Sequence, residues 1–410
     1  MERPDVDWLS WPFFSDEHRR FAEDLWTWCA AATWDSDPTE DVDAACRERV
    51  RRLGQAGWLQ VTARTPGSDE RLDVRTLCIA RETLSFFDGL ADFAFAMQGL
   101  GAGALTLFGT PAQTEWLDKT RAGVAIPAFA LSEPRSGSDV ARLACSARPA
   151  GGSAGSKEGW ILDGEKTWIS NGGIADFYLL FARTSDDDAR GISAFLVPAD
   201  TPGLHVAERL EVMAPHPLAR LRLDDVRLGP EALVGDVGQG FKIAMSVLDV
   251  FRSTVGAAAL GFARRALSAS LSRSRERHLF GAPMSELQMV QAYLAEMALD
   301  VDAATLLIYR AAWCKDQGKE RVTREAAMAK LFATERAQSV IDKAVQLHGG
   351  DGVRRGHPVE ALYREIRALR IYEGASEVQK VVIARESLKR HPATQTSDAA
   401  SFEPEPRRGA

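Results

Sequence analysis

The segment IPAFALSEPRSGSD, residues 126–139, marks the point at which the pattern of the chain changes from helical to extended. Over residues 15–123, apolar residues recur every three or four positions, as Phe21, Leu25 and Trp28 do, which is the period of an amphipathic helix. After the segment come short β-prone runs that Gly, Pro, Asn and Asp separate. The segment therefore divides a helical N-terminal part from a β-rich middle part.

The helical period returns at Gly238, in long runs with short connections, which favours a helical bundle. The four predicted helices cover residues 241–275, 286–317, 323–347 and 376–389. The fold prediction is a mainly α protein with a central β domain. Its predicted parts are an N-terminal helical domain (1–125), an antiparallel β-barrel or sandwich (126–236), a C-terminal four-helix bundle (237–390) and a disordered tail (391–410).

Composition excludes several classes of protein. The chain has 410 residues, 45% of them hydrophobic, which is enough for two or three domains with real cores. The net charge is −7 with no block of like charge, which argues against a nucleic-acid partner. Five scattered cysteines, no signal peptide and no run of 18 apolar residues predict a cytoplasmic protein without a membrane span. No His or Cys spacing typical of a metal site is present.

One carboxylate stands out near the C-terminus, in RIYEGASEVQKVVIARE, residues 370–386. Glu373 precedes the last predicted helix, and Ser376 with Gln379 predicts a capping box that begins that helix. The neighbours Ile371 and Tyr372 predict an apolar environment for the carboxylate. Such an environment raises the pKa of a carboxyl group toward working pH, as a general base requires.

Two segments of the β-rich part carry hydroxyl groups at informative positions. In FALSEPRSGSD, residues 129–139, Ser132 and Ser138 can hydrogen-bond the polar edge of a flat ring system, although an ordinary turn uses the same residues. In WISNGG, Trp168 and Ser170 lie two positions apart, so both point to one face of a strand. They can flank one ligand, or Trp168 can belong to the core.

Three further motifs each allow two interpretations. RERHLFG, residues 275–281, places Arg277 where it can bind a pyrophosphate or cap a helix C-terminus. QLHGGDG, residues 346–352, allows close approach to a phosphate or ring, or simply ends a helix. GLGAGA, residues 99–104, fits a dinucleotide fingerprint, but no β run precedes it, so close helix packing explains it better.

Taken together and in order, these motifs resemble the acyl-CoA dehydrogenase family. The resemblance covers residues 15–390 and rests on LSEPRSGSD, WISNGG, R-x-x-F-G, QLHGGDG and IYEG. The family has an N-terminal helical domain, a central β domain and a C-terminal four-helix bundle. The resemblance implies FAD-dependent α,β-dehydrogenation of an acyl thioester, from acyl-CoA to 2,3-enoyl-CoA, with FAD between the β domain and the bundle.

The resemblance also implies roles for individual residues. Glu373 resembles the base that removes the α proton while the β hydride passes to the flavin. Residues that resemble cofactor contacts are Phe129, Leu131, Ser132, Ser138, Trp168, Ser170, Arg277, Phe280, Gln288, Gln346, Gly349, Gly350, Gly374, Ser376 and Glu377. Residues that resemble substrate contacts are Ser138, Asp249, Arg252, Tyr372 and Arg385.

Within the family, some members carry the base on the long bundle helix, at the residue before the arginine of L-D-x-x-R. Here that residue is Phe251, which leaves Glu373 as the one candidate base. The sequence departs from the family pattern at Ala375, where Thr is usual, and at Glu377, where Gln is common. Arg135 stands where small residues are usual, and we expect it to face solvent.

The resemblance implies partners as well: an acyl-CoA or acyl-carrier thioester, an electron-transferring flavoprotein, and further copies of the chain. The segment Gln346–Gly350 resembles one that reaches a neighbouring subunit's FAD, which implies a homodimer or homotetramer. The predicted pocket segment 91–104 is apolar apart from Asp92 and Gln98. This disfavours a dicarboxylyl substrate, because its second carboxylate would require an arginine as partner.

Other functions on the same fold are an acyl-thioester oxidase, an acyl-carrier-protein-linked dehydrogenase or a flavin monooxygenase of biosynthetic metabolism. The retained Glu373 argues against a hydroxylase, which needs no base for an α proton. A flavin-binding scaffold without catalysis is the alternative from outside the enzymes.

Overall fold

The N-terminal part of the chain is helical. The computed structural model describes residues 4–67, 71–151 and 158–391. Its first five α-helices are α1 (Asp16–Ala31), α2 (Val42–Gln55), α3 (Val74–Phe87), α4 (Gly89–Phe108) and α5 (Thr114–Arg121). The side chains of Asp41, Asp73 and Asp88 accept hydrogen bonds from the first backbone N–H groups of α2, α3 and α4. These N-caps explain where the three helices begin.

The middle part is one eight-stranded sheet. Its strands are β1 (Pro127–Ala130), β2 (Ser146–Pro149), β3 (Trp160–Ser170), β4 (Phe177–Arg183), β5 (Ile192–Pro198), β6 (Leu204–Arg209), β7 (Leu218–Leu228) and β8 (Leu233–Val234). The strand order is β6-β7-β3-β2-β4-β5-β8, and β1 pairs with β4. Most pairings are antiparallel as predicted, but β1 and β2 each pair with β4 in parallel. Long connections join these parallel partners, and parallel pairing requires such crossovers.

The C-terminal part contains α6 (Gly240–Glu276), a short hairpin of β9 (His278–Leu279) and β10 (Ala282–Pro283), α7 (Gln288–Asp316), α8 (Thr323–His348), α9 (Pro358–Leu369) and α10 (Ser376–Arg390). Helices α6, α7, α8 and α10 correspond to the four predicted long helices, and the predicted three-part fold is confirmed. Helix α9 was not predicted. It begins with Pro358 behind the N-cap His357, whose side chain accepts a hydrogen bond from Val359.

The GLGAGA segment packs helix α4 against helix α6. A Cβ atom on Gly99 would lie 2.5 Å from Cε1 of Phe251, and one on Gly103 would lie 2.9 Å from Cγ1 of Val247. Phe251 is buried in this contact. The small residues therefore serve close helix packing, as the sequence predicted, and Phe251 fills the space that they leave.

Helices α4 and α6 are long and apolar enough to cross a membrane by length and composition alone. This measure is broader than the predicted absence of an unbroken run of 18 apolar residues, since polar or charged residues interrupt both helices. Within those stretches 94% and 78% of the residues are buried inside the protein, respectively. Both helices belong to the larger hydrophobic core, which joins the helices to one face of the sheet, whereas a second core lies within the β domain.

Candidate active site

A cavity of about 350 Å³ lies where the sheet meets helices α4 and α6 and the segment before α10. This volume is in the range of small-molecule sites. Residues from the sequence prediction that line it are Phe129, Leu131, Ser132, Ser138, Trp168, Ser170, Arg252, Tyr372, Glu373 and Gly374. Phe93, Ala96, Met97 and Leu100 of α4 and Phe241, Met245 and Leu248 of α6 add apolar walls. The fold thus brings motifs separated by more than two hundred residues to one place.

Glu373 sits in a left-handed turn. Its φ angle is 51° and that of Gly374 is 95°, a region that residues other than glycine rarely occupy. The Nζ atom of Lys330 donates a hydrogen bond to the carbonyl oxygen of Gly374 at 2.8 Å. The side-chain amide of Gln379 donates to the same oxygen at 2.9 Å. Because Lys330 and Gln379 are both fully buried, they hold the turn from inside the protein.

The predicted capping box does not form. Helix α10 begins at Ser376 with Ala375 as its N-cap, so Ser376 is already inside the helix. Its hydroxyl donates to the carboxylate of Glu335 on α8, and Gln379 turns back to the carbonyl of Gly374. Tertiary contacts with α8 and the Glu373 turn replace the local pair that the sequence pattern suggested.

Burial raises the pKa of Glu373, although the positive charges of Arg81, Lys330 and Arg252 oppose the shift. The Oε2 atom of Glu373 has no hydrogen-bond partner among the described residues. The predicted direction is correct, and desolvation is its largest cause, as predicted. Ile371 is 59% exposed, whereas Tyr372 lines the cavity together with Glu373.

Trp168 faces the cavity and does not belong to the core. It is 60% exposed and has a φ angle of 58°. The pairing of β3 with β7 is irregular between Lys166 and Ile169, which is where Trp168 lies. This bulge turns the indole toward the cavity that Ser170 also lines. The structure therefore favours the ligand-flanking interpretation of the WISNGG motif.

A buried ion pair fixes the loop after β1 that contains Ser132 and Ser138, here called the serine loop (residues 131–139). Nζ of Lys166 lies 2.7 Å from Oε1 of Glu133 and also donates to the carbonyl of Leu131. The Glu133 carboxylate accepts a further hydrogen bond from the backbone N–H of Cys145. These contacts anchor the segment from which Ser132 reaches the cavity. Arg135 is exposed, as predicted.

Several predicted cofactor and substrate residues do not line this cavity. Those exposed around the β9–β10 hairpin and the end of α8 are Arg277, Phe280, Gln288, Gln346, Gly349 and Gly350. Phe280 is 94% exposed. On α10, Glu377 and Arg385 are exposed and Ser376 is buried. Asp249 reaches the site indirectly, because its carboxylate accepts a hydrogen bond from Arg252 at 3.2 Å. The proposed roles of all these residues remain predictions.

Five charged or ionisable residues that the sequence analysis did not assign also line the cavity: Arg81, Asp92, Asp139, His216 and Glu365. Arg81 forms two hydrogen bonds to Asp92, of 2.9 and 2.8 Å. Segment 91–104 itself contributes no arginine, but Arg81 reaches the cavity from α3. One feature of the sequence could have revealed Arg81: it lies among the apolar positions of a predicted helix, where a charged side chain is rare unless it is paired.

Comparison with known proteins agrees with this geometry. The family models for the N-terminal, middle and C-terminal domains of acyl-CoA dehydrogenases match residues 13–123, 128–226 and 238–388, respectively. The chain is 39% identical over 348 residues to the short-chain specific acyl-CoA dehydrogenase of mitochondria from Bos taurus, which covers 83% of this chain and 82% of that protein.

Solved structures show the same similarity. Butyryl-CoA dehydrogenase from Megasphaera elsdenii superposes with a TM-score of 0.82 at 30% identity, covering 92% of this chain and 99% of the other. A glutaryl-CoA dehydrogenase from Mycobacterium smegmatis in complex with FADH2 gives 0.83 at 27% identity, over 94% and 97% of the two chains.

The fold and the site define a flavin-dependent oxidoreductase that acts on CH–CH bonds. The chain belongs to the acyl-CoA dehydrogenase family, which catalyses FAD-dependent dehydrogenation of acyl-CoA.

The cavity fits a flavin ring. Its walls combine the hydroxyl groups of Ser132 and Ser170, the indole of Trp168, and the apolar Met245 and Leu248. A flat ring with polar edges needs such a mixture of hydrogen-bonding groups and apolar walls. Among the described residues, no cluster of His, Cys, Asp and Glu could hold a metal ion.

Proposed function

We propose that Glu373 is the catalytic base that removes the α proton of the acyl thioester. The observation that carries this proposal is the carboxylate itself: it lines the cavity, its Oε2 is unpaired, and burial raises its pKa. A base with a pKa nearer working pH both accepts a proton in the reaction and is ionised beforehand. The alternative position on α6 holds Phe251, which packs against α4 and cannot accept a proton.

The backbone N–H of Glu373 is the proposed donor to the thioester oxygen. In the described part of the chain it donates to no backbone or side-chain acceptor. The left-handed turn at Glu373 and Gly374, held by Lys330, fixes this N–H near the carboxylate. A preorganised donor stabilises negative charge that develops on the oxygen as the proton leaves.

FAD, when bound, accepts the β hydride, which no side chain can do. The residues of this chain that we propose to hold it are Trp168, Ser170 and the loop from Phe129 to Ser138. For Arg252, which lines the cavity and is held by Asp249, we propose a contact with the acyl-CoA.

We also propose the partners that the family resemblance implies. The electron acceptor is an electron-transferring flavoprotein, and the chain assembles as a homodimer or homotetramer. The exposed phenyl ring of Phe280 and the exposed Gly349 and Gly350 support a role in contacts with another copy. All five cysteines are free, which supports a reducing compartment, the cytoplasm. The domain limits proposed from the sequence, 125/126 and 236/237, fall between α5 and β1 and between β8 and α6.

Anaerobic bleaching of the FAD by a panel of acyl-CoA and acyl-carrier thioesters tests the proposal. We expect bleaching with the wild-type holoenzyme and a loss of about three orders of magnitude or more in rate with Glu373→Gln, since the amide accepts no proton. The control Glu386→Gln changes an α10 glutamate that pairs with Lys389, and should bleach at the wild-type rate.

Two results would contradict the proposal. If Glu373→Gln bleaches as fast as the wild type, the base is elsewhere. If no thioester bleaches the FAD, the scaffold alternative is supported. Reoxidation of the reduced enzyme then separates a dehydrogenase, slow with oxygen and fast with an electron-transferring flavoprotein, from an oxidase.

A further inference from the structure

Four residues that line the cavity together with Glu373 form what we call the polar wall: Arg81, Asp92, His216 and Glu365. Neither proton abstraction nor hydride transfer requires them. Three of the four are more than nine-tenths buried or at that limit, with 3% of Arg81, 4% of Asp92 and 9% of Glu365 exposed. Burying charged groups costs free energy unless they are paired and hydrogen-bonded.

The polar wall consists of two pairs of opposite charge. Arg81 contacts both oxygens of Asp92, and its remaining Nη1 donates to the hydroxyl of Thr254 at 3.2 Å. Nε2 of His216 lies 3.0 Å from Oε2 of Glu365. Although burial opposes it, the Glu365 carboxylate raises the pKa of His216, which favours the protonated ring. The positive and negative charges of the polar wall are therefore matched.

One of these pairs is an ion pair whose hydrogen bond is poorly aligned. Nε2 of His216 and Oε2 of Glu365 are both buried and lie 3.0 Å apart, and among the described residues neither atom has an aligned hydrogen-bond partner. The ring of Phe93 packs on the ring of His216, with centroids 4.4 Å apart, and so fixes its position. A buried donor and a buried acceptor thus remain side by side without aligned hydrogen bonds, which native structures usually avoid.

We propose that the polar wall selects acyl groups that carry a neutral hydrogen-bonding substituent, a hydroxyl group in the simplest case, over alkyl groups of the same length. This inference rests on the proposed function, because it concerns the acyl part of the same site. A hydroxyl is both donor and acceptor, so it satisfies Glu365 and His216 together. A methyl group in its place leaves both without an aligned hydrogen bond, and a carboxylate adds a charge that the balanced wall does not compensate.

The remaining walls agree with a short methylene chain that ends in a polar group. Phe93, Ala96, Met97 and Leu100 of α4 are apolar and line the same cavity. Gln98, the other polar residue of the segment, does not reach it, since its amide donates to the carbonyls of Thr120 and Ala125. Asp92 is thus the one polar side chain that α4 presents to the cavity within residues 91–104.

The test compares matched thioesters on the holoenzyme. The probes are 4-hydroxybutanoyl-, 5-hydroxypentanoyl- and 6-hydroxyhexanoyl-CoA, each beside the alkyl-CoA in which CH3 replaces OH, with glutaryl-CoA as the carboxylate. The readout is the second-order rate of anaerobic FAD reduction. For at least one length we expect roughly tenfold or greater preference for the hydroxyl, since sites built to bind a hydroxyl reject the analogue without it. Glutaryl-CoA should react more slowly than 5-hydroxypentanoyl-CoA.

Variants of the polar wall make the test specific. The double substitution His216→Phe with Glu365→Leu should remove or reverse the preference, whereas Glu365→Gln, which retains a hydrogen-bonding oxygen, should keep part of it. FAD content and thermal unfolding show that each variant is folded.

The inference is overturned if alkyl thioesters react as fast as their hydroxyl partners at every length, if glutaryl-CoA is the best substrate, or if the double variant keeps the preference. In those cases FAD bleaching still supports the proposed function. A wild-type enzyme that no thioester bleaches overturns both.

Discussion

Lys330 and Gly374 are joined by a hydrogen bond of 2.8 Å, from the buried ammonium group to the carbonyl oxygen one residue beyond Glu373. Burial lowers the pKa of Lys330 to about 8, while the nearby Glu373 carboxylate acts against this shift. One side chain therefore does two things: it holds the left-handed turn, and it places a positive charge near the proposed base.

Replacement of Lys330 by methionine should affect both roles. Loss of the positive charge raises the pKa of Glu373, because the charge stabilises the carboxylate. A base must be ionised to act, so the acid limb of the pH profile of kcat/KM should move to higher pH. We expect stability to fall by about 1–3 kcal/mol, since the Gly374 carbonyl loses one of its two buried donors.

The matched control is Lys343→Met on the same helix, where the lysine pairs with the exposed Glu296 at the surface. Its pH profile should equal that of the wild type. An unshifted profile in Lys330→Met would show that the lysine has no electrostatic effect on the base.

Glu373→Gln should stabilise the folded protein near neutral pH while it abolishes turnover. Because the folded-state pKa of Glu373 is raised, folding favours its protonated form, and the ionised carboxylate costs stability above that pKa. The gain in Tm should therefore be absent at and below the ordinary glutamate value of 4.5 and should grow as pH rises above it. Thermal unfolding of both holoenzymes across this range measures it. A gain that does not change with pH would contradict the electrostatic cause.

Lys166→Met should weaken both the fold and flavin binding. The substitution leaves the Glu133 carboxylate buried without its cation, which typically costs about 3–5 kcal/mol. Since Glu133 anchors the serine loop, the purified variant should contain less FAD. The surface lysine Lys119, paired with Glu115, provides the control, and Lys119→Met should cost about 1 kcal/mol or less. Equal free energies of unfolding for the two variants would show that the buried ion pair stabilises the fold no more than the surface pair does.

Gly99→Ala should destabilise the contact between α4 and α6 by about 1–3 kcal/mol, because the new methyl group overlaps the ring of Phe251. Alanine has the higher helix propensity, so a loss of stability can only come from this overlap. Adding Phe251→Leu should recover part of the loss, as urea unfolding of the single and double variants would show. If the two substitutions are strictly additive, the predicted overlap does not exist.

The site residues that could be predicted from the sequence are those whose side chains lie within short recognisable motifs. Ser132, Trp168 and Glu373 each lie in a short motif, and each lines the cavity. Arg81, His216 and Glu365 lie in no motif, because each acts through a partner on another element: Asp92 on the next helix for Arg81, and a residue far along the chain for His216 and Glu365. The capping box failed for the same reason: Ser376 and Gln379 found better partners in Glu335 and the Glu373 turn than in each other.

Local patterns along the chain were enough to predict the order of the three parts, the bounds of the long helices and the family. Apolar periodicity and turn residues are local properties, so they can be read along the chain. Three features come from tertiary packing alone: β1 and β2 run parallel to β4, burial raises the pKa of Glu373, and two ion pairs border the cavity. These features depend on which distant surfaces meet, and no local pattern contains that information.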